Sequence, residues 1–416
     1  MLPLSRILSI GSSLGMAPTS LSSPSPRALP ALMGAAAATA MAYGALLPAL
    51  PWLIGRAGVP PTRVDAWTGW LMAAYSLAAV LTSPLWGWAC GRIRPLFVMS
   101  WGLVGQMVAL TVFWTATTLP SLWMGRMLLG GAGAAVVPAA LSILAVAEVT
   151  EADRSTLFAH ISRAALAGAL LGPALGGWLT RGAQIRPALV AAFTILLVSL
   201  AWLLRSRAIP IAPSLAAKMF SPTLDRRHRM ALLALSTLAA LAMSVYELGL
   251  VTRGRTVLGL SPQGIGAMFT SCGVIMLLVQ LWVFRRGRDP LMIFRWVSPS
   301  FVLTGIGLLA LSVLQSERSL GVGVLLVASS AGVLQPSLTY WTSRGAGRAA
   351  GTALGWRAAL TTTGQVIGSV IGGYAFAGTW LGWSALFLIV GALITAAFIA
   401  NHLSGPCLAA LSSRDR

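Results

Sequence analysis

Apolar runs long enough to cross a bilayer recur along almost the whole chain. A helix rising about 1.5 Å per residue needs about 20 apolar residues to span the hydrocarbon. Runs of that kind lie near 29–53, 66–89, 96–117, 121–147, 156–180, 187–204, 230–252, 263–284, 292–314, 319–343, 352–377 and 381–402. Short connections marked by Arg, Pro and Gly separate most of them. The pattern predicts an all-α membrane protein of twelve transmembrane helices. The longest internal connection, 205–229, holds Pro210, Pro213, Pro222 and the run Asp225-Arg226-Arg227-His228-Arg229, and it divides the spans six and six. The expected domains are therefore a disordered cytoplasmic tail over 1–28, a six-helix bundle over 29–204, a cytoplasmic linker over 205–229, a second bundle over 230–402 and a short tail over 403–416.

Composition agrees with lipid as the solvent. Apolar residues make up 57% of the 416 positions and charged residues 9%, against about 25% charged in a soluble chain. The net charge of +20 does not call for nucleic acid, because the arginines sit between apolar runs and their bias orients the spans. With the N-terminus inside, 19 basic residues fall in cytoplasmic segments and 7 outside, while Arg126, Arg163 and Arg357 lie within spans. Both termini are thus expected in the cytoplasm. Arginine outnumbers lysine 28 to 1 and Ala and Gly are abundant, which points to a GC-rich bacterial genome and a bacterial inner membrane.

Several chemistries drop out. Lys218 is the sole lysine and lies in the linker, so a phosphate loop of the G-x-x-x-x-G-K-[ST] kind is impossible. Cys90, Cys272 and Cys407 are isolated, and the three histidines are scattered, so neither a metal nor another cofactor is expected. Nine acids, mostly in loops, form no paired-carboxylate or nucleophile cluster, which argues against a membrane enzyme.

The two halves repeat one another. Gly168, Gly172, Gly176 and Gly177 in span five match Gly364, Gly368, Gly372 and Gly373 in span eleven at an offset of 196. Pro138 and Pro336 sit 198 apart, and Arg163-Ala-Ala-Leu and Arg357-Ala-Ala-Leu sit 194 apart. Two six-helix repeats are a transporter architecture, with the solute site at their interface near mid-membrane. Small residues one turn apart also let helices approach closely in lipid.

An ionisable group in the hydrocarbon costs at least about 2.5 kcal/mol and marks a functional position. Glu247 in span seven is the one acid inside an apolar run, and Arg126 lies in span four. At about 1.5 Å per residue each sits roughly 8 Å below the outer end of its span. Arg163 and Arg357, near the cytoplasmic ends of their spans, are expected to snorkel to the headgroups. The aromatic and amide side chains Tyr43, Tyr75, Tyr246, Gln335, Tyr340, Trp341 and Gln365 suit a cavity for an amphipathic organic solute.

These residues resemble the major facilitator superfamily, in particular its twelve-helix drug:proton antiporters, over about residues 29–402. The stretch from Gly168 to Gly177, which includes Pro173, matches the family's antiporter pattern G-x-x-x-G-P-x-x-G-G and implies export. Arg126, Gly130, Gly133 and Ala135 match the family's span-four pattern, with Leu129 where the family often has Gln. The loop after span two departs from the family: Gly87, Arg92 and Arg94 are kept, but Gly91 stands where the family has a gate-latching acid, and span one lacks the family's embedded acid. The resemblance implies the fold, a cleft lined by spans one, four, seven and ten, and an exporter that exchanges protons for a drug, siderophore or other metabolite. On this reading Glu247 and Arg126 face each other across the cleft and couple to protons. An importer or uniporter without such coupling is the alternative. The expected partners are the small-molecule substrate, protons and the lipid bilayer, with no nucleic acid, and the protein is expected to work as a monomer.

Overall fold

The computed structural model describes residues 28–145, 151–180, 184–206, 226–284, 290–313, 316–346, 350–376 and 380–403. The predicted tails and nearly all of the central linker lie outside these residues. Within them the chain forms α1 (Ala28–Leu46), α2 (Leu50–Arg56), α3 (Val64–Cys90), α4 (Pro95–Thr115), α5 (Leu119–Gly133), α6 (Val136–Ala145), α7 (Glu151–Leu179) and α8 (Arg186–Arg205). The second half adds α9 (Arg226–Thr256), α10 (Pro262–Val283), α11 (Pro290–Arg295), α12 (Val297–Val313), α13 (Glu317–Ala346), α14 (Ala350–Ala375) and α15 (Trp380–Leu403). Hydrocarbon offers no partner for free backbone groups, so helices are the form these apolar runs must take.

Among the described residues ten helical stretches are long and apolar enough to cross a membrane, and three of them are built in two pieces: α1 with α2, α5 with α6, and α11 with α12. With α7 and α14 the arrangement is consistent with the twelve expected. The first break has a visible cause. Pro48 and Pro51 fall three residues apart, and a short 3₁₀ turn over Leu47–Ala49 joins the two pieces. Pro84, Pro173 and Pro336 are carried inside α3, α7 and α13. Two boundaries differ from the sequence reading. The seventh crossing begins at Arg226 rather than after Arg229, and it runs on to Thr256. Arg253 and Arg255, expected in an outside loop, therefore belong to its last turns.

Many hydroxyls within the bundle are satisfied by their own helix. The hydroxyls of Thr68, Ser236, Thr304 and Thr342 each donate to the carbonyl four residues back, at 2.7–2.8 Å. Gln106 donates to Thr39 Oγ1 at 3.1 Å and to the Gly102 carbonyl at 3.2 Å. Large apolar side chains such as Leu81, Leu388 and Phe398 instead point outward and are exposed, as lipid-facing positions should be.

Close packing follows the glycines. A Cβ on Gly172 would lie 2.8 Å from the Met41 carbonyl oxygen, and Gly168 and Gly176 press on the backbones of Ala37 and Ala45. In the second half Gly364, Gly368 and Gly372 press on Thr237, Leu241 and Val245. Each partner is shifted by 200 residues, so the repeat holds at the level of atomic contacts: α7 lies on α1 as α14 lies on α9. The turns after α2 and α9 repeat as well. Each uses a glycine at positive φ, Gly58 at 85° and Gly259 at 58°.

The halves meet along two seams. In one, a Cβ on Gly69 of α3 would stand 2.9 Å from Gly373 Cα of α14; in the other, a Cβ on Gly177 of α7 would stand 2.7 Å from Gly266 Cα of α10. Both seams sit toward the end of the bundle that carries the α2–α3 and α9–α10 connections. An ion pair, Arg255 Nη2 to Asp65 Oδ1 at 2.7 Å, clasps the halves there. Trp70 Nε1 donates to the Tyr374 hydroxyl at 3.2 Å, and Gln263 donates to the Thr180 carbonyl. Toward the opposite end Gly87 and Gly355 face open space.

Candidate functional site

Four side chains from both halves converge in the interior: Tyr43 of α1, Tyr75 of α3, Arg126 of α5 and Glu247 of α9. The Tyr43 and Tyr75 ring centroids lie 4.4 Å apart. The Arg126 guanidinium stands 5.5 Å from the Tyr43 centroid and 5.9 Å from that of Tyr75, within cation–π range. Glu247 is half-buried and lies near enough to the Tyr43 hydroxyl and to Arg126 to feel both.

The sequence builds this cluster locally. Gly130, one turn after Arg126, lets α5 press against the Tyr75 backbone. The missing side chain at Gly133 leaves room beside the Tyr75 hydroxyl, Thr39 and Gln106. These contacts hold Arg126 against the tyrosine pair. Arg126 has no exposed surface, and its Nε, Nη1 and Nη2 have no hydrogen-bond partner. A buried charge is ordinarily paired, so this guanidinium is an exception that needs an explanation.

A second basic group lies deeper in the other half. Arg357 of α14 donates from Nε to Ser236 Oγ at 3.2 Å and from Nη2 to Gln335 Oε1 at 3.1 Å. It turns onto α9 and α13, where a hydroxyl and an amide accept from it. Arg163, by contrast, is exposed.

The remaining cavity candidates divide. Tyr43, Tyr75 and Gln335 are half-buried, and Tyr340 and Gln365 are exposed. Tyr246 and Trp341 do not line a cavity. Tyr246, one residue from Glu247 and so about 100° around the helix, is fully buried beside the Cys272 thiol. Trp341 is buried edge-on to Phe294, with centroids 5.7 Å apart. Within the motif stretches, Gly168, Gly172 and Gly176 serve the α7–α1 packing, Gly177 serves the seam with α10, and the ring of Pro173 fills the space over Gly44. Arg92 stacks over the Trp88 ring at 4.0 Å, and Arg94 is exposed.

Sequence reasoning missed the Asp65–Arg255 clasp and the Gly69–Gly373 seam. One signal was present: Gly69 and Gly266 stand 197 apart, close to the offset of the glycine repeat. Among the described residues no three His, Cys, Asp or Glu side chains gather to hold a metal ion.

The geometry is that of two pseudo-equivalent helical halves around a polar interior cluster, and comparison with known proteins agrees. The model of the Major Facilitator Superfamily matches residues 32–360. Multidrug resistance protein 2 of Bacillus subtilis is 23% identical over 319 residues, which cover 74% of this chain and 79% of that protein. The MFS-type transporter ppzB of Metarhizium rileyi is 34% identical over 190 residues, which cover 44% of this chain but only 37% of that longer protein. Among solved structures, the human organic anion transporter MFSD10 superposes with a TM-score of 0.66 at 22% identity, covering 91% of this chain and all of that one. Two helical repeats, with a model match over most of the chain, place this protein in the major facilitator superfamily.

Proposed function

We propose that this protein exports a small organic molecule, such as a drug, a siderophore or another metabolite, in exchange for protons by alternating access. The observation that carries the reading is Glu247: an acid inside a membrane crossing, half-buried, in reach of Tyr43 and under the field of Arg126. A carboxylate in that position gains and loses a proton as its surroundings change. Two further facts support the reading. Gly168, Gly172 and Gly176 of the antiporter stretch pack on α1 while Gly177 packs on α10, and similarity extends over most of a protein named for multidrug resistance.

The positive-inside bias puts both termini and the 205–229 linker in the cytoplasm of a bacterial cell, with the clasped end outward. The conformation is then closed outside, and the substrate enters from the cytoplasm. When the outer seams part, Glu247 meets external protons, takes one up and the substrate leaves. The unit of function on this reading is the monomer. The missing acid at Gly91 favours a second reading, a uniporter with a weakened inner latch. Export from everted vesicles under an imposed pH gradient separates the two. Wild type accumulates substrate and Glu247→Gln binds it without accumulating it. Uphill transport by Glu247→Gln refutes proton coupling through this residue.

A further inference from the structure

Arg126 is buried in a membrane protein with every side-chain nitrogen unpartnered, and its nearest company is two aromatic faces. Leaving such donors unmade costs several kcal/mol per group in hydrocarbon. The guanidinium therefore reads as a receptor for an acceptor supplied from outside the chain. Glu247, whose charge Arg126 feels, offers the opposite charge and keeps some exposed surface. Tyr43 interacts with both, its ring centroid 5.5 Å from the guanidinium and its hydroxyl near the carboxylate. The paired rings of Tyr43 and Tyr75 give the site aromatic walls. The other interior arginine, Arg357, is engaged by Ser236 and Gln335 and does not compete for a ligand acid.

From this arrangement we infer that the substrate is an aromatic zwitterion, its acidic group docking on Arg126, its ammonium on Glu247 and its ring against the Tyr43 and Tyr75 faces. This deepens the exporter reading and rests on it for the direction of coupling. The two charges explain why exchange is obligatory. A proton on Glu247 removes the partner of the substrate's ammonium, so uptake of the proton outside expels the substrate. An anion lacking the ammonium would be held more firmly by the same protonation, which is the sense of co-transport, and a cation lacking the acid would be repelled by Arg126. The titratable and charged groups around Glu247 are Tyr43 of α1, Arg126 of α5, Tyr246 on its own helix and Cys272 of α10. None of the others offers a second carboxylate to take over the ammonium.

The test uses four probes on one skeleton: 6-(aminomethyl)-2-naphthoic acid, its carboxamide (a cation), its N-acetyl derivative (an anion), and the doubly capped neutral molecule. Binding to the full-length protein in nanodiscs is read by fluorescence anisotropy. The zwitterion binds tightest in the wild type. Arg126→Gln weakens the zwitterion and the anion by about tenfold, the scale of a hydrogen bond to a charged group, and leaves the neutral probe unchanged. Glu247→Gln weakens the zwitterion and the cation by about the same factor. Lowering the pH from 8 to 6 weakens the zwitterion in wild type but not in Glu247→Gln. A neutral probe bound as tightly as the zwitterion, acid-bearing probes indifferent to Arg126→Gln, or no binding of any probe overturns the assignment. If Arg126→Gln does not fold, the order of the four probes on wild type decides alone. Transport in proteoliposomes keeps the two readings apart. Binding in the expected order with only downhill, pH-independent movement preserves the zwitterion site and refutes the proton-driven exporter. Uphill export of a cation, with no preference for the zwitterion, does the reverse.

Discussion

Single residues were legible where physics makes them conspicuous. Glu247 and Arg126 stand out because hydrocarbon penalises charge, so the sequence alone marks them. What it could not mark is that Tyr43 interacts with both, since a tyrosine in a span is as readily an anchor as a bridge. Asp65 and Arg255 were illegible as a pair for another reason. They lie 190 residues apart, near ends of crossings where charge is expected anyway. Their pairing makes a prediction. The two side chains keep only 12% and 24% of their exposure, so removing one partner leaves the other largely buried and unpaired, which costs more than the about 1 kcal/mol of an exposed pair. Asp65→Asn should therefore raise the share of molecules open at that end by more than about fivefold. Spin labels at Arg63 and Thr256 measure the distance across the gap, and an unchanged distribution in Asp65→Asn shows that the clasp does not hold the end closed. High salt should act in the same direction on wild type and have little effect on the variant.

At the scale of elements, the long apolar helices could be read because length and hydropathy decide whether a run spans. The interruptions were harder. Pro48 and Pro51 lie inside an unbroken apolar stretch, and nothing in hydropathy separates a kinked span from a straight one. The glycine spacing did foretell helix contact, although not which neighbour would be met. The structure assigns α1 to α7 and α9 to α14. Gly172→Leu would drive a branched side chain into the Met41 carbonyl and Gly44, and overpacking of that kind costs about 1–3 kcal/mol or more. Transport should be lost while the protein still reaches the membrane, as a blot of the membrane fraction beside a transport assay will tell. Gly368→Leu, pressed on the Leu241 backbone, should behave the same way. Gly87→Ala enters open space and should stay within twofold of wild type in transport rate. A dead Gly87→Ala would mean that this glycine is packed in another conformation of the cycle.

For the whole molecule, the arginine bias and the repeat were both visible in the chain, because insertion and duplication leave one-dimensional traces. How the halves sit on one another was not visible, since that depends on which glycines oppose which. Orientation remains an expectation that reporter fusions can test. A fusion at Lys218 should report from the cytoplasm and one at Thr118 from outside, and a cytoplasmic signal at Thr118 would invert the molecule. The seams carry one more consequence. Gly69 of α3 meets Gly373 of α14, and Gly266 of α10, its counterpart, meets Gly177 of α7, the counterpart of Gly373. Each seam is the other one with the halves exchanged. That is the rule of an isologous twofold dimer, in which one patch faces its own copy. A six-helix unit bearing Gly69 on α3 and Gly177 on α7 is by this geometry complementary to itself, so the covalent link between halves is not what defines their fit. Residues 1–206 and 226–416 made as separate polypeptides should find each other in the bilayer, an association that co-purification from one membrane would reveal.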